Sequence, residues 1–342
     1  MTRKRVYIAN TGGTIGMRRE NGSYRPAPGY LAERMEGMPE LRDPSMPEYD
    51  IHEYVRLLDS SDMEASDWVA IGRDIASVYD HYDGFVVIHG TDTMAYTAAA
   101  LSYMFEDLGK PIVLTGSQIP LAEVRSDARE NLITSLMIAA DTAIPEVCLF
   151  LGERILRGNR ATKVNATGLR AFDSPNYPAL GTAGVEIQVD PRLVFLRPDA
   201  PTRFIPIDGH PNVADVRLFP GITPSLLERF FTPPLDGAVL HTYGVGNAPS
   251  RPEFVEVIAN AVDRGVVVVN CTQCLRGRVY PRAYATGDAL TDAGVISGHD
   301  MNPEAALTKL LWLLSLGLDR DEVERGMGKN LRGELTESSV LP

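Results

Sequence analysis

The chain has 342 residues, which at about 150 residues per domain suggests roughly two domains. Its 44% hydrophobic and 23% charged residues are those of an ordinary globular protein and exclude a disordered, collagenous or coiled-coil chain. Asp and Glu outnumber Lys and Arg by 45 to 33, and the resulting net charge of −12 makes nucleic acid and anionic membrane poor partners, because both repel it.

From the N-terminus, residues 5–10 form a short β-rich run that ends in Thr11-Gly-Gly-Thr-Ile-Gly16, a tight glycine loop. Residues 84–89 repeat the arrangement, followed by Gly90-Thr-Asp-Thr93 and an Ala-rich helical pattern through 108. A strand over 111–115, a helix over 127–140 and a strand over 146–151 come next. Short, wholly apolar runs mark strands buried on both faces. Strands alternating with helices predict a parallel sheet in an α/β fold. Pro191, Pro198, Pro201, Pro206 and Pro211 interrupt the stretch 189–215, which reads as a connector. Beyond it the rhythm resumes, with strands over 237–241 and 265–270 and helices over 252–263, 303–316 and 322–327. The predicted organisation is a larger N-terminal α/β domain over 1–188, with a mainly parallel sheet flanked by helices, then the connector, then a smaller C-terminal α/β domain over 216–342. No apolar stretch approaches the roughly 18 residues of a membrane span. The run from Val6 to Ala9 is too short for a signal-peptide core. Three cysteines, Cys148, Cys271 and Cys274, are too few for a disulfide framework. A soluble cytoplasmic protein is expected.

In an open parallel sheet, ligands bind beyond the carboxyl ends of the strands. Thr11-Gly-Gly-Thr14 and His89-Gly-Thr-Asp-Thr93 both fall at such ends and set hydroxyls beside glycines. Taken alone, Thr91, Asp92 and Thr93 equally suit the start of the next helix. The first loop matches neither G-x-G-x-x-G nor the phosphate-loop pattern, which removes the most specific support for a nucleotide. Cys271-Thr-Gln-Cys274 is a lone C-x-x-C, and the six histidines form no H-E-x-x-H, so neither metal nor redox chemistry is expected and the cysteines should pack. A threonine hydroxyl is a weak nucleophile until something takes its proton. Lys163 can serve if drawn into a partly buried site; from the residues alone, an ordinary solvated lysine is the reading that prevails.

The paired motifs Thr11-Gly-Gly-Thr-Ile-Gly16 and His89-Gly-Thr-Asp-Thr-Met94 resemble the signatures of the L-asparaginase/glutaminase family, and the chain is most similar to its bacterial type I, cytoplasmic branch. The likeness runs nearly end to end, through Asp59-Ser-Ser-Asp-Met63, Lys110-Pro-Ile-Val-Leu-Thr-Gly-Ser-Gln118, Arg157-Gly-Asn-Arg-Ala-Thr-Lys163, Tyr243-Gly-Val-Gly-Asn-Ala-Pro249 and Asn330-Leu-Arg-Gly-Glu-Leu335. The resemblance implies hydrolysis of L-asparagine to L-aspartate and ammonia, with no cofactor and no metal. Thr14 would be the nucleophile and Tyr24 the tyrosine of a mobile flap. Thr91, Asp92 and Lys163 would form a second catalytic group. Gly13 and Gly90 would bring backbone amides to the substrate. Ser60 and Asp92 would hold its α-carboxylate and α-ammonium, beside Ser61, which stands where secreted relatives carry glutamine. Ser117 would line the pocket near the amide, and Asn247 would enter from a neighbouring subunit of a tetramer built as a dimer of dimers. Thr162, His241 and Cys274 match positions of a second, regulatory asparagine site. Two rivals share these motifs: the amide-hydrolysing subunit of a tRNA-dependent amidotransferase, and a catalytically silent amino-acid sensor.

Overall fold

The computed structural model describes residues 3–140, 144–281 and 285–337. It divides into two compact units, Met1–Pro206 and Ile207–Pro342.

The first unit is built on an eight-stranded sheet. Its strands are β1 (Arg5–Gly12), β2 (Glu48–Leu58), β3 (Gly84–Ile88), β4 (Ile112–Thr115), β5 (Val147–Leu151), β6 (Arg154–Arg157), β7 (Gly181–Ala183) and β8 (Ile187–Val189). The order across the sheet is β8-β7-β6-β5-β4-β3-β1-β2. The pairs from β2 to β5 are parallel, and β6, β7 and β8 add an antiparallel flank. Strands β3, β4 and β5 are buried along their whole length, which is why their sequences are continuously apolar. Val6, Ile8, Val86, Ile88 and Val113 pack with Leu132 and Leu136 of the helix Ala128–Ala140, and the alternate residues face the other side of the sheet. Strand β2 was not predicted. It is an edge strand, so charged Glu48, Asp50 and Glu53 interleave with Tyr49 and Ile51, which pack against the core.

Two helices call for comparison with the sequence. Helix α1 (Ala65–Val78) opens with a reciprocal cap between Glu64 and Asp67. Helix α2 (Met94–Met104) is buried nearly all round, as its alanines imply, but stops short of 108. Phe105–Glu106 instead pairs antiparallel with Arg203–Phe204, and the Phe105 and Phe204 rings lie 5.1 Å apart. The stretch 189–215 is therefore more than a connector. It supplies one strand of that pair, Arg203–Phe204, to the first unit and the start of a strand, Val213–Arg217, to the second. Its prolines lie outside both strands, which leaves the ladder donors intact.

The second unit carries a smaller, wholly parallel sheet of β9 (Val213–Arg217), β10 (Gly237–Thr242), β11 (Val267–Thr272) and β12 (Ile296–Ser297), in that order. Three of its helices, α3 (Pro224–Phe230), α4 (Pro252–Asp263) and α5 (Pro303–Ser315), open with proline, whose missing N–H is an orphan at that position anyway. The motif 330–335 is tied to α5 by a buried pair. Lys309 and Glu334 are both fully buried and 2.5 Å apart. Lys309 also donates to the carbonyls of Met327 (3.1 Å) and Lys329 (2.5 Å), and Glu334 accepts from the backbone N–H groups of Leu331 and Arg332. Burial lowers the Lys309 ammonium below its ordinary range. Among the described residues no helix is long and apolar enough to cross a membrane.

Candidate active site

Three loops converge at the carboxyl edge of β1, β2 and β3. Strand β1 lies between the other two, so the chain leaves it on both sides, the arrangement that opens a crevice in a parallel sheet. Gly13 has φ +88°, and a Cβ there would lie 2.4 Å from the backbone nitrogen of Gly90. A Cβ on Gly90 would lie 2.5 Å from Ser60 Oγ. Glycine alone lets the three loops touch, which is the physical content of both motifs. Thr14 follows Gly13 and Thr91 follows Gly90, so the contact brings the two threonine-bearing segments together.

Thr14 opens a 3₁₀ turn, Thr14–Gly16, and is half-buried. Its hydroxyl has no hydrogen bond among the described residues. Thr91 is buried and hydrogen-bonded on two sides. Lys163 Nζ donates to Thr91 Oγ1 at 2.8 Å and to Asp92 Oδ1 at 2.5 Å. Thr91 Oγ1 in turn donates to Gln118 Oε1 at 2.9 Å. Gln118 Nε2 donates to the carbonyls of Gly168 (3.1 Å) and Ala166 (3.3 Å), which fixes which end of the amide faces Thr91. Thr91 thus gives its one hydrogen to Gln118, takes one from Lys163, and keeps a lone pair for a substrate or water. Lys163 is no solvated lysine. Thr162–Lys163 pairs antiparallel with Phe172–Asp173, and the lysine side chain is 18% exposed. Asp92 is 66% exposed, so the ion pair stabilises the fold by at most about 1 kcal/mol and serves to orient.

The remaining candidates distribute unevenly. Ser60 is buried; its Oγ accepts from the Asp92 N–H at 3.3 Å and its carbonyl accepts from Thr93 Oγ1 at 2.7 Å. Thr93 is the N-cap residue of α2, as the helix-start reading expects, although its hydroxyl makes no cap bond and donates instead to Ser60 O. Ser61 is exposed and donates to Asp59 Oδ1 at 3.0 Å. Ser117 Oγ is buried without a partner among the described residues. Tyr24 sits on a hairpin, Met17–Glu20 against Ser23–Pro26, and its OH donates to Glu123 Oε1 at 2.8 Å. Asn247 belongs to the second unit, in a turn where its backbone exchanges two hydrogen bonds with Tyr243. Of the regulatory candidates, Thr162 is buried beside Lys163. His241 is buried in the second unit, with Nε2 bonded to Asp215, so a ligand carboxylate would compete with one already in place. Cys274 is exposed, contrary to the packing expected of it, whereas Cys148 and Cys271 are buried. Burial pushes the Cys271 thiol up to about 12.

The family model described as "Asparaginase, N-terminal" matches residues 5–194, and that of the "Glutaminase/Asparaginase C-terminal domain" matches residues 212–327. The chain belongs to the asparaginase family. It is 50% identical over 340 residues to L-asparaginase 1 of Escherichia coli K12, covering 98% of this chain and 99% of that protein. The crystal structure of L-asparaginase I from Vibrio cholerae matches with a TM-score of 0.92 at 50% identity, over 98% of this chain and all of that one. The thermostable L-asparaginase from Thermococcus kodakarensis matches with a TM-score of 0.89 at 36% identity, over 98% and 100% of the two chains.

Four groups around this asparaginase-family site lay beyond the sequence reading. Gln118 closes the run Lys110-Pro-Ile-Val-Leu-Thr-Gly-Ser-Gln118 and could have been flagged by its place at a strand end. Glu123 left no signal, because Tyr24 lies 99 residues away. Glu53 accepts from the Gly29 N–H (2.8 Å) and from Asn10 Nδ2 (3.1 Å), tying the end of the hairpin segment to β1 and β2.

His89 is the fourth. It is fully buried under the second loop; Nδ1 donates to the Gly90 carbonyl at 2.6 Å, so Nε2 is left to accept from Thr97 Oγ1 at 2.8 Å. Burial lowers its pKa from 6.5 to about 4. The unfolded chain therefore takes up a proton on His89 below about pH 6.5, while the folded chain resists until about pH 4. Stability is full above the upper value and falls as pH drops through that window, by about 3 kcal/mol in all. Urea unfolding across this range should show the loss. In His89→Gln the profile should be flatter over the same interval, on a lower plateau; an unchanged slope would remove His89 as the cause.

Proposed function

We propose that the chain is an L-asparagine amidohydrolase, forming L-aspartate and ammonia through an acyl-enzyme on Thr14. The observation that carries the reading is the chain of hydrogen bonds Lys163–Thr91–Gln118 on a loop held in contact with the Thr14 loop through Gly13 and Gly90. The free hydroxyl of Thr14 attacks the side-chain amide carbon. A C–O bond forms, the C–N bond breaks, and the nitrogen leaves as ammonia with the proton from Thr14. A water then donates a hydrogen bond to the remaining lone pair of Thr91 and attacks the ester, returning a proton to Thr14 Oγ. Backbone amides at Gly13 and Gly90 are assigned to the developing oxyanion. Ser60 and Asp92 are assigned to the α-carboxylate and α-ammonium, Ser61 to their rim, and Ser117 to the amide end. Tyr24 closes over the site, and Asn247 is assigned to the site of a neighbouring subunit in a tetramer. The reading is supported by full-length relatives that carry the name L-asparaginase.

Ammonia release from L-asparagine and L-glutamine is the test. Turnover of L-asparagine, with glutamine slower, is expected. Saturable binding of asparagine without ammonia would replace this reading with the silent sensor.

A further inference from the structure

The hairpin that bears Tyr24 has little of its own to hold it. Its turn residues, Asn21 and Gly22, have φ +49° and +88°, the pair of positive values that a two-residue hairpin turn requires. Six of its eight strand residues are exposed, and a two-stranded ribbon alone is marginal in water. Its root is fastened by Ala27 N–H to Gly16 O (3.4 Å), by Gly29 N–H to Glu53, and by Arg18 stacked over Tyr30. Beyond the root, among the described residues, it is tethered by the bond from Tyr24 OH to Glu123.

The segment that supplies Glu123 is itself cross-tied by hydrogen bonds. Asp127 accepts from the backbone N–H groups of Gln118 (3.1 Å) and Ile119 (2.9 Å). Ser126 Oγ donates to Ile119 O, and Glu123 N–H donates to Pro120 O. The same segment meets the nucleophile turn, where Leu121 N–H donates to Ile15 O at 3.3 Å. Glu123, whose backbone is tied into this segment, thus lies two residues from a contact with the neighbour of Thr14.

We propose that Glu123 is a positioning residue, which latches Tyr24 and so holds the lid over the nucleophile. The proposal rests on the reading of Tyr24 as the lid tyrosine. The bond to Glu123 also raises the Tyr24 pKa.

The test uses the full chain and two readouts. The first is trypsin, because Arg18 and Arg19 lie exposed on the hairpin. Glu123→Ala should speed cleavage there several-fold, because opening of the lid sets the rate. Glu123→Gln keeps an oxygen acceptor and should restore most of the protection. The second readout is kinetic. Glu123→Ala should lower kcat/KM about tenfold, largely through KM, and Tyr24→Phe at least as far. The double variant should be no slower than Tyr24→Phe, because Glu123 acts through Tyr24. Multiplying losses, or trypsin protection unchanged in Glu123→Ala, would overturn the latch while leaving Tyr24 in place. Unaltered kinetics in Tyr24→Phe would instead remove the lid reading beneath it. Thermal unfolding of each variant within a few degrees of the parent confirms that the fold is intact.

Discussion

Thr14→Ala is expected to abolish turnover by at least about a thousandfold while leaving the protein folded. The asymmetry follows from the site. The Thr14 hydroxyl bonds to nothing among the described residues, and the backbone of its turn is set by Gly13, so the fold should lose less than about 1 kcal/mol. The chemistry, by contrast, loses the atom that forms the acyl bond. Ammonia release measured beside a thermal unfolding curve separates the two. Activity within tenfold of the parent would transfer the nucleophile's role elsewhere, with Thr91 the next hydroxyl in line.

The largest effect on stability is expected in the second unit, at Lys309. Lys309→Met leaves Glu334 buried without its cation, and breaking a buried pair from one side costs about 3–5 kcal/mol. Replacing both, as Lys309→Met with Glu334→Leu, should recover part of that loss. Recovery should be incomplete, because Glu334 also holds the N–H groups of Leu331 and Arg332, which the double change leaves unpaired. Guanidinium unfolding, followed for the transition of the second unit, checks both. A single variant within about 1 kcal/mol of the parent would show that the pair contributes little.

Much of this architecture could be read in the chain because strands buried on both faces have nowhere to put a polar residue. Val6 to Ala9 and the strands at 84–88, 112–115 and 147–151 declare themselves in that way. The same logic hid β2, whose outer edge and one face meet solvent and so tolerate Glu48, Asp50 and His52. The two glycine motifs marked the site because close approach of backbones has a visible cost in residue type. Side-chain bonds across the sheet carry no such mark. Nothing local to Lys163 says that a short strand pair draws it under Asp92, and nothing local to Glu123 names Tyr24. The resemblance supplied the roles of Thr14, Tyr24, Thr91, Asp92 and Lys163. Distances among Lys163, Thr91, Asp92 and Gln118 came only with the fold.

The segment from Gln118 to Asp127 has a practical consequence for anyone remodelling the pocket. Within six residues it grips Thr91 through Gln118, the Thr14 turn through Leu121 and the hairpin through Glu123. An insertion or deletion there would shift all three at once, so this loop is a poor place to graft diversity. Ser61 offers the opposite case. It is exposed, and among the described residues its side chain engages only Asp59, in its own loop. On the proposed assignment, libraries aimed at substrates altered at the α-ammonium or α-carboxylate end are best built outward from that position.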